Sequence, residues 1–286
     1  MFGFLNVYKP VNMTSHDVVA VLRRITKIKQ IGHTGTLDPF AEGVLPICIG
    51  KATRLIEYLN DDKSYLAYVQ LGEETSTYDK EGETVSKSEK KVNENEVLTA
   101  LKDFEGEIMQ IPPMYSAIKI KGKKLYEYAR EGKEIEVEPR KVTIEEISLK
   151  DFDFDNQVAQ IYIKCSKGTY IRSIAHDLGE KLGCGAHLTR LIRKNAGKFN
   201  LDTAIPLENI TTIVQVKEIL IEPLTMLEMP ILELNETEHQ KVLCGQFLEN
   251  KNYNHGDFII LVYNKKINAI ALVSEDKIKV KKVFEL

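Results

Sequence analysis

The chain alternates between short runs with a two-residue apolar period and fewer stretches in which apolar residues recur every three or four positions. FGFLNVYKP (2–10) predicts a strand ending at Pro10. Thr14 with Asp17 makes a capping-box pattern ahead of a helix whose stripe is Val18, Leu22, Ile25 and Ile28. Residues 44–49 predict a short strand, 53–59 a helix, and 65–71 a third strand with Tyr65 at its start. Residues 72–91 are polar and turn-rich and predict an extended surface connection marked by Gly72 and Gly82. Asn93 and Glu96 repeat the capping box before a helix that stops at Gly106. Two alternating runs, 142–149 and 158–165, flank DFDFDNQ and predict antiparallel neighbours with one wet face each. The second leads through KGTYIR into a helix over 169–182. From about residue 228 the pattern changes to short strand-like runs at 231–234, 247–248, 258–263, 267–273 and 278–283, which predict a small β domain.

One stretch does not fit a strand or a helix. In GHTGTLDPFAEGVLPICIGKATR (32–54), Gly32, Gly35 and Gly43 allow backbone angles closed to other residues, and Pro39 pushes Asp38 toward an extended conformation. Asp38 therefore sits on a turn that presents it, with His33 nearby as a flat ring able to be charged or neutral. An Asp-Pro turn with no chemical role has the same local pattern. Gly50-Lys51 lacks the preceding glycine and following hydroxyl of a phosphate loop, since Leu45 and Ala52 stand there, and no GxGxxG opens a helix. No nucleotide cofactor is indicated.

The same stretch resembles, almost residue for residue, the catalytic motif of the TruB family of tRNA pseudouridine(55) synthases. The resemblance continues through NVYKP, GEETSTYD, QIPPMYSAIKIKGKKLYEYAREG and CSKGTYIRSIAHDLGEKLGCGAHLTRLIR, over roughly the first four-fifths of the chain. It implies a mixed α/β (α+β) fold: a catalytic domain over 1–228 around a mainly antiparallel sheet, a thumb-like insertion at about 113–140, and a small PUA-like β domain over 229–286. It also implies isomerisation of the T-loop uridine 55 of tRNA to pseudouridine on a flipped-out base, without cofactor or metal. Asp38 matches the family nucleophile. Arg172 would pair with it: a cation in a helix's first turn opposes the macrodipole and needs a compensating anion. Tyr65 matches the tyrosine that stacks on the uracil and assists proton removal from C5, and Tyr170 and Leu191 match positions lining the base pocket. His33 matches the histidine that takes the place of the flipped base, and Lys9, grouped with the substrate-binding residues, matches a motif lysine that supports the active-site structure rather than performing a chemical step.

Composition bounds these expectations. With 286 residues, 43% hydrophobic and 28% charged, the chain can bury a large core, and no apolar run approaches the ~20 residues needed to span a bilayer. A cytoplasmic monomer is expected. Cys48, Cys165, Cys184 and Cys244 have neither zinc nor disulfide spacing and read as buried thiols. The net charge of −3 hides asymmetry: residues 160–200 carry eight Lys or Arg against Asp177 and Glu180, whereas 73–107 carry eleven acidic against five basic side chains. Lys119, Lys121, Lys123 and Lys124 stand beside Tyr115, Tyr126 and Tyr128 in the insertion, a mixture suited to backbone neutralisation and stacking on RNA. Two other readings remain at this point. One is a tRNA-binding folding helper; the other is a covalent phosphotransferase, disfavoured because no second carboxylate is evident beside Asp38 for magnesium.

Overall fold

The structure, a computed structural model, describes residues 1–120, 122–133, 135–250 and 252–284. Lys121 of the basic insertion therefore lies outside the described residues. The long alternating runs assemble into a ten-stranded sheet. Along its main path the order is Ile205–Pro206, Gly3–Lys9, Glu42–Ile49, Ala186–Ala196, Lys63–Leu71, Val158–Cys165, Arg140–Asp153 and Gly106–Gln110. Neighbours are antiparallel except Gly3–Lys9 with Ile205–Pro206, and Glu42–Ile49 with Ala186–Ala196. The protein is thus mixed α/β around a mainly antiparallel sheet, as the resemblance implied. The centre of the sheet is the long pairing of Lys63–Leu71 with Ala186–Ala196, in which Leu191 lies opposite Ala67 and Arg193 opposite Tyr65.

Local signals set the helices that cover this sheet. Both capping boxes form: Thr14 and Asp17 start Ser15–Thr26, and Asn93 and Glu96 start Glu94–Leu101. Val18, Val19 and Leu22 of the first helix are buried, and Lys27 ends it in the left-handed region, so Ile28 falls beyond it. The expected helix at 53–59 is instead a 3-10 helix, Gly50–Tyr58. Its inward residues Ala52 and Leu55, with Tyr58 against Phe258, are spaced by three, the period of the tighter turn.

The 72–91 connection departs most from expectation. It contains a two-stranded hairpin, Glu73–Thr75 with Thr84–Lys87, and between these strands it turns inward. Lys80 N–H donates to the Leu188 carbonyl at 2.8 Å and Leu188 N–H to the Tyr78 carbonyl at 3.0 Å, which buries Asp79 against the central strand. The insertion holds a small ribbon, Lys119–Ile120 with Lys123–Lys124, and the helix Leu125–Arg130.

The C-terminal strands form their own five-stranded sheet in the order Ile231–Glu233, Phe258–Tyr263, Lys266–Val273, Lys277–Val283 and Leu248–Glu249. It also carries a helix the apolar pattern did not reveal, Glu236–Leu243, which buries only Val242. Its capping box, Asn235 with Glu238, was nonetheless written in the sequence. One face of this sheet, through Ile260, Val262, Ile267 and Ile270, packs on Phe4, Val44, Cys48 and Leu55.

Candidate active site

Asp38, Arg172, Tyr65, Tyr170 and Leu191 come together in one cleft of about 600 Å³, which the insertion closes on one side with Tyr115 and Tyr126. Sequence separation hides this: Asp38 comes from the loop before Glu42–Ile49, Tyr65 and Leu191 from the two central strands, and Arg172 from the start of the helix Ile171–Leu182. Tyr170 is the residue just before that helix rather than in its first turn. Gln110, buried at the sheet edge, holds it there: its Nε2 donates to the Tyr170 carbonyl at 3.0 Å and its Oε1 accepts from the Tyr170 N–H at 2.7 Å. Burial raises the Tyr170 phenol above its ordinary pKa.

Arg172 is the hub. Its Nη2 donates to Asp38 Oδ1 at 3.3 Å, and its Nε lies 2.9 Å from Oδ2, a charge contact too bent for a hydrogen bond. The guanidinium side chain is 5% exposed while the Asp38 carboxylate is 34% exposed, so the acid faces the cleft and its partner backs it from inside. Nη2 also donates to the Tyr115 carbonyl at 3.0 Å and Nη1 to the Thr77 carbonyl at 3.2 Å. Nη1 lies 3.5 Å from Asp79 Oδ2. The anion required by a cation at this helix start is therefore supplied twice.

Asp79 was not singled out in the sequence, where it closes the polar GEETSTYD run. Burial raises its pKa, against the pull of Thr77, Arg172 and the Glu81 N–H. Its Oδ1 accepts from Thr77 Oγ1 at 2.6 Å and from the Glu81 N–H at 3.0 Å. A second carboxylate is thus present, which corrects the expectation that Asp38 has none nearby; the Arg172 guanidinium makes contact with both acids.

Two residues grouped with substrate binding do not line this cleft. Lys9 is fully buried and does not line the cleft. Its ammonium donates to the carbonyls of Pro10 at 2.9 Å, Met13 at 2.7 Å and Pro39 at 3.4 Å, so its hydrogen bonds brace the turn that follows Asp38. Burial depresses it to about 8. His33, half-buried on the strand Ile31–His33, packs edge-on to His16 with ring centroids 5.5 Å apart, outside the cleft lining. Burial, and then His16 and Arg193, lower it to about 4. Its ring is therefore uncharged at neutral pH. Because the unfolded chain takes up that proton first, this histidine is expected to cost folding stability as pH falls from about 6.5 toward about 4 and nothing above that window. An NMR titration of the His33 ring with a midpoint near 6.5 would contradict this.

The basic 160–200 segment is also less free than its composition implied. Arg172 and Arg193 are buried, and Lys167, Arg190 and Lys198 make ion pairs with Asp61 at 3.0 Å, Glu42 at 2.7 Å and Glu228 at 3.6 Å. In the insertion, Lys124 and Arg130 each lie 5.3 Å from the centre of the Tyr126 ring, so cation and aromatic are paired at the cleft wall.

Comparison with known proteins identifies the family. A model of the N-terminal domain of TruB family pseudouridylate synthases matches residues 23–171, and one of the tRNA pseudouridylate synthase B C-terminal domain matches residues 172–231. The chain belongs to the TruB family. Among its relatives, tRNA pseudouridine synthase B of Staphylococcus haemolyticus is 43% identical over 99% of both chains, and that of Clostridium novyi is 51% identical over 74% of this chain and 73% of the relative. A solved H/ACA RNP bound to a substrate RNA containing 2'-deoxyuridine contains a chain similar to this one at 25% identity and a TM-score of 0.72, covering 100% of this chain and 86% of that one. A Cbf5-Nop10-Gar1 complex matches at 26% identity with the same TM-score, over 99% of this chain and 84% of that one. The two TruB models meet between Ile171 and Arg172, so Asp38 falls in the first and its partner guanidinium in the second.

Proposed function

We propose that this protein isomerises the T-loop uridine 55 of tRNA to pseudouridine, with Asp38 as nucleophile. The observation that carries the reading is the ion pair of Asp38 with Arg172, at 2.9 Å, in a cleft lined by Tyr65, Tyr170 and Leu191. Family membership and relatives named tRNA pseudouridine synthase B support the substrate. In the reaction the glycosidic bond breaks, the uracil turns, and its C5 bonds to the ribose; no atom enters or leaves. A carboxylate suits the task because it can form a covalent bond and leave again. Arg172 fixes its orientation through two nitrogens.

Tyr65 and Leu191 form the floor on which the extruded base would rest. Extrusion costs a few kcal/mol of lost stacking, and the uncharged ring of His33 is suited to fill the gap left in the T-loop. The insertion with Tyr126, Lys124 and Arg130 would grip the RNA, and the C-terminal sheet, read as PUA-like, would face the acceptor stem.

The deciding experiment incubates the protein with unmodified tRNA transcript and maps pseudouridine by position. Modification at position 55 is expected; modification in another arm would overturn the substrate, and binding without any pseudouridine would leave an RNA-folding helper. Tyr65→Phe is expected to lower the single-turnover rate by at least about a hundredfold with tRNA affinity within a few-fold. An unchanged rate would remove the tyrosine's part in proton transfer. His33→Ala is expected to weaken tRNA binding by roughly tenfold and to preserve some turnover, because one stacking contact is lost. Equal binding by gel shift or fluorescence would leave His33 a structural residue.

A further inference from the structure

Arg193 is among the largest fully buried side chains of the protein, and the Asp38–Arg172 pair does not involve it. Its Nε donates to the Val44 carbonyl at 2.6 Å, Nη1 to Thr36 at 3.3 Å and Nη2 to Gly35 at 3.1 Å, so three of its N–H groups hold the chain on either side of Asp38. The fit is tight. A Cβ on Gly43, whose φ is +108°, would lie 2.4 Å from the Arg193 carbonyl oxygen and 2.8 Å from its nitrogen. Arg193 is also the direct cross-strand neighbour of Tyr65, so both side chains stand on the same face of the sheet.

We propose that Arg193 is a positioning residue that sets the hydroxyl of Tyr65 while holding the Asp38 loop in register with it. A guanidinium has donors and no acceptor, so in any hydrogen bond between the two it donates into the phenolic oxygen. In that bond the phenolic proton points away from Arg193. Burial raises the Tyr65 phenol to about 12, Cys165 and Asp38 push the same way, and Arg193 pulls back. The guanidinium thus opposes the effect of burial on the Tyr65 hydroxyl. This rests on the reading of Tyr65 as a residue of uridine isomerisation.

The test reads Tyr65 with and without turnover. With a fluorinated tyrosine of lower intrinsic pKa at position 65, its ionisation is followed by 19F NMR in the wild-type background, R193K and R193M. The midpoint is expected to rise by at least about one unit in R193M and by less in R193K, which keeps the charge. R193M leaves three carbonyls without their donor, so both variants are first checked by thermal melting, and R193K decides if R193M does not fold. In single-turnover assays R193K is expected to lose at least about tenfold in rate with tRNA affinity within a few-fold, and to cost several-fold less in a Y65F background, where only its hold on the Asp38 loop is left to lose. An unmoved midpoint, or rate losses from R193K and Y65F that simply multiply, would overturn the proposal and leave Arg193 a loop brace. A wild-type protein that forms no pseudouridine refutes the proposed function, and the midpoint still decides what Arg193 does to Tyr65.

Discussion

Asp38→Asn is expected to abolish pseudouridine formation, lowering the single-turnover rate by at least about four orders of magnitude, while tRNA affinity stays within a few-fold. The asparagine is nearly isosteric and its Oδ1 can still accept from Arg172 Nη2, so the loop should keep its shape. The amide lacks the charge and the nucleophilic oxygen. Arg172 keeps its contact with the Asp79 carboxylate and its bonds to the Thr77 and Tyr115 carbonyls, and the melting temperature should change little. Wild-type-like turnover by carefully purified Asp38→Asn would end the nucleophile assignment. A large loss of affinity in parallel would mean that Asp38 contributes mainly to binding.

Arg172→Met should have the second-largest effect, and on two properties at once. Removing the guanidinium leaves Asp79, with its side chain 5% exposed, as a buried carboxylate without its cation, at a cost of about 3–5 kcal/mol. It also frees Asp38 from its only ion-pair partner among the described residues, so turnover should fall well beyond what the loss of folded protein explains. Denaturant unfolding and single-turnover kinetics separate the two losses. Adding Asp79→Asn to Arg172→Met should recover part of the stability and none of the rate, because it removes the stranded charge without restoring the partner of Asp38. If Arg172→Met unfolds at the same denaturant concentration as the wild type, the buried pairing with Asp79 contributes nothing and this account of the hub is wrong.

Much of the site was legible before the structure because it is built from local rules. The turn at Asp38 announced itself through Gly35, Pro39 and Gly43, and the structure gives Gly43 a φ of +108° against the Arg193 backbone. Arg172 at a helix start demanded an anion, and Asp38 answers that demand. Tyr65 was placed on a strand and lies on one. Lys9 and His33 stand outside the cleft lining, which local sequence could not foretell: type and motif do not say whether a side chain points into a cleft or behind it.

The alternating and helical periods, the capping boxes and the glycine-rich turn determined most of the longer strands and helices and an acid on a presented loop, because each of these depends on residues a few positions apart. What tertiary structure alone decided is the company that acid keeps. Asp79 sits in a run as polar as any surface loop, and it is buried only because its neighbours hydrogen-bond to Leu188, more than a hundred residues away. Arg193 counted as one more cation of a basic segment until the sheet order set its strand beside those of Val44 and Tyr65. Whether a charged side chain faces water or the interior depends on which distant strand lies opposite it, and no local window of sequence contains that information.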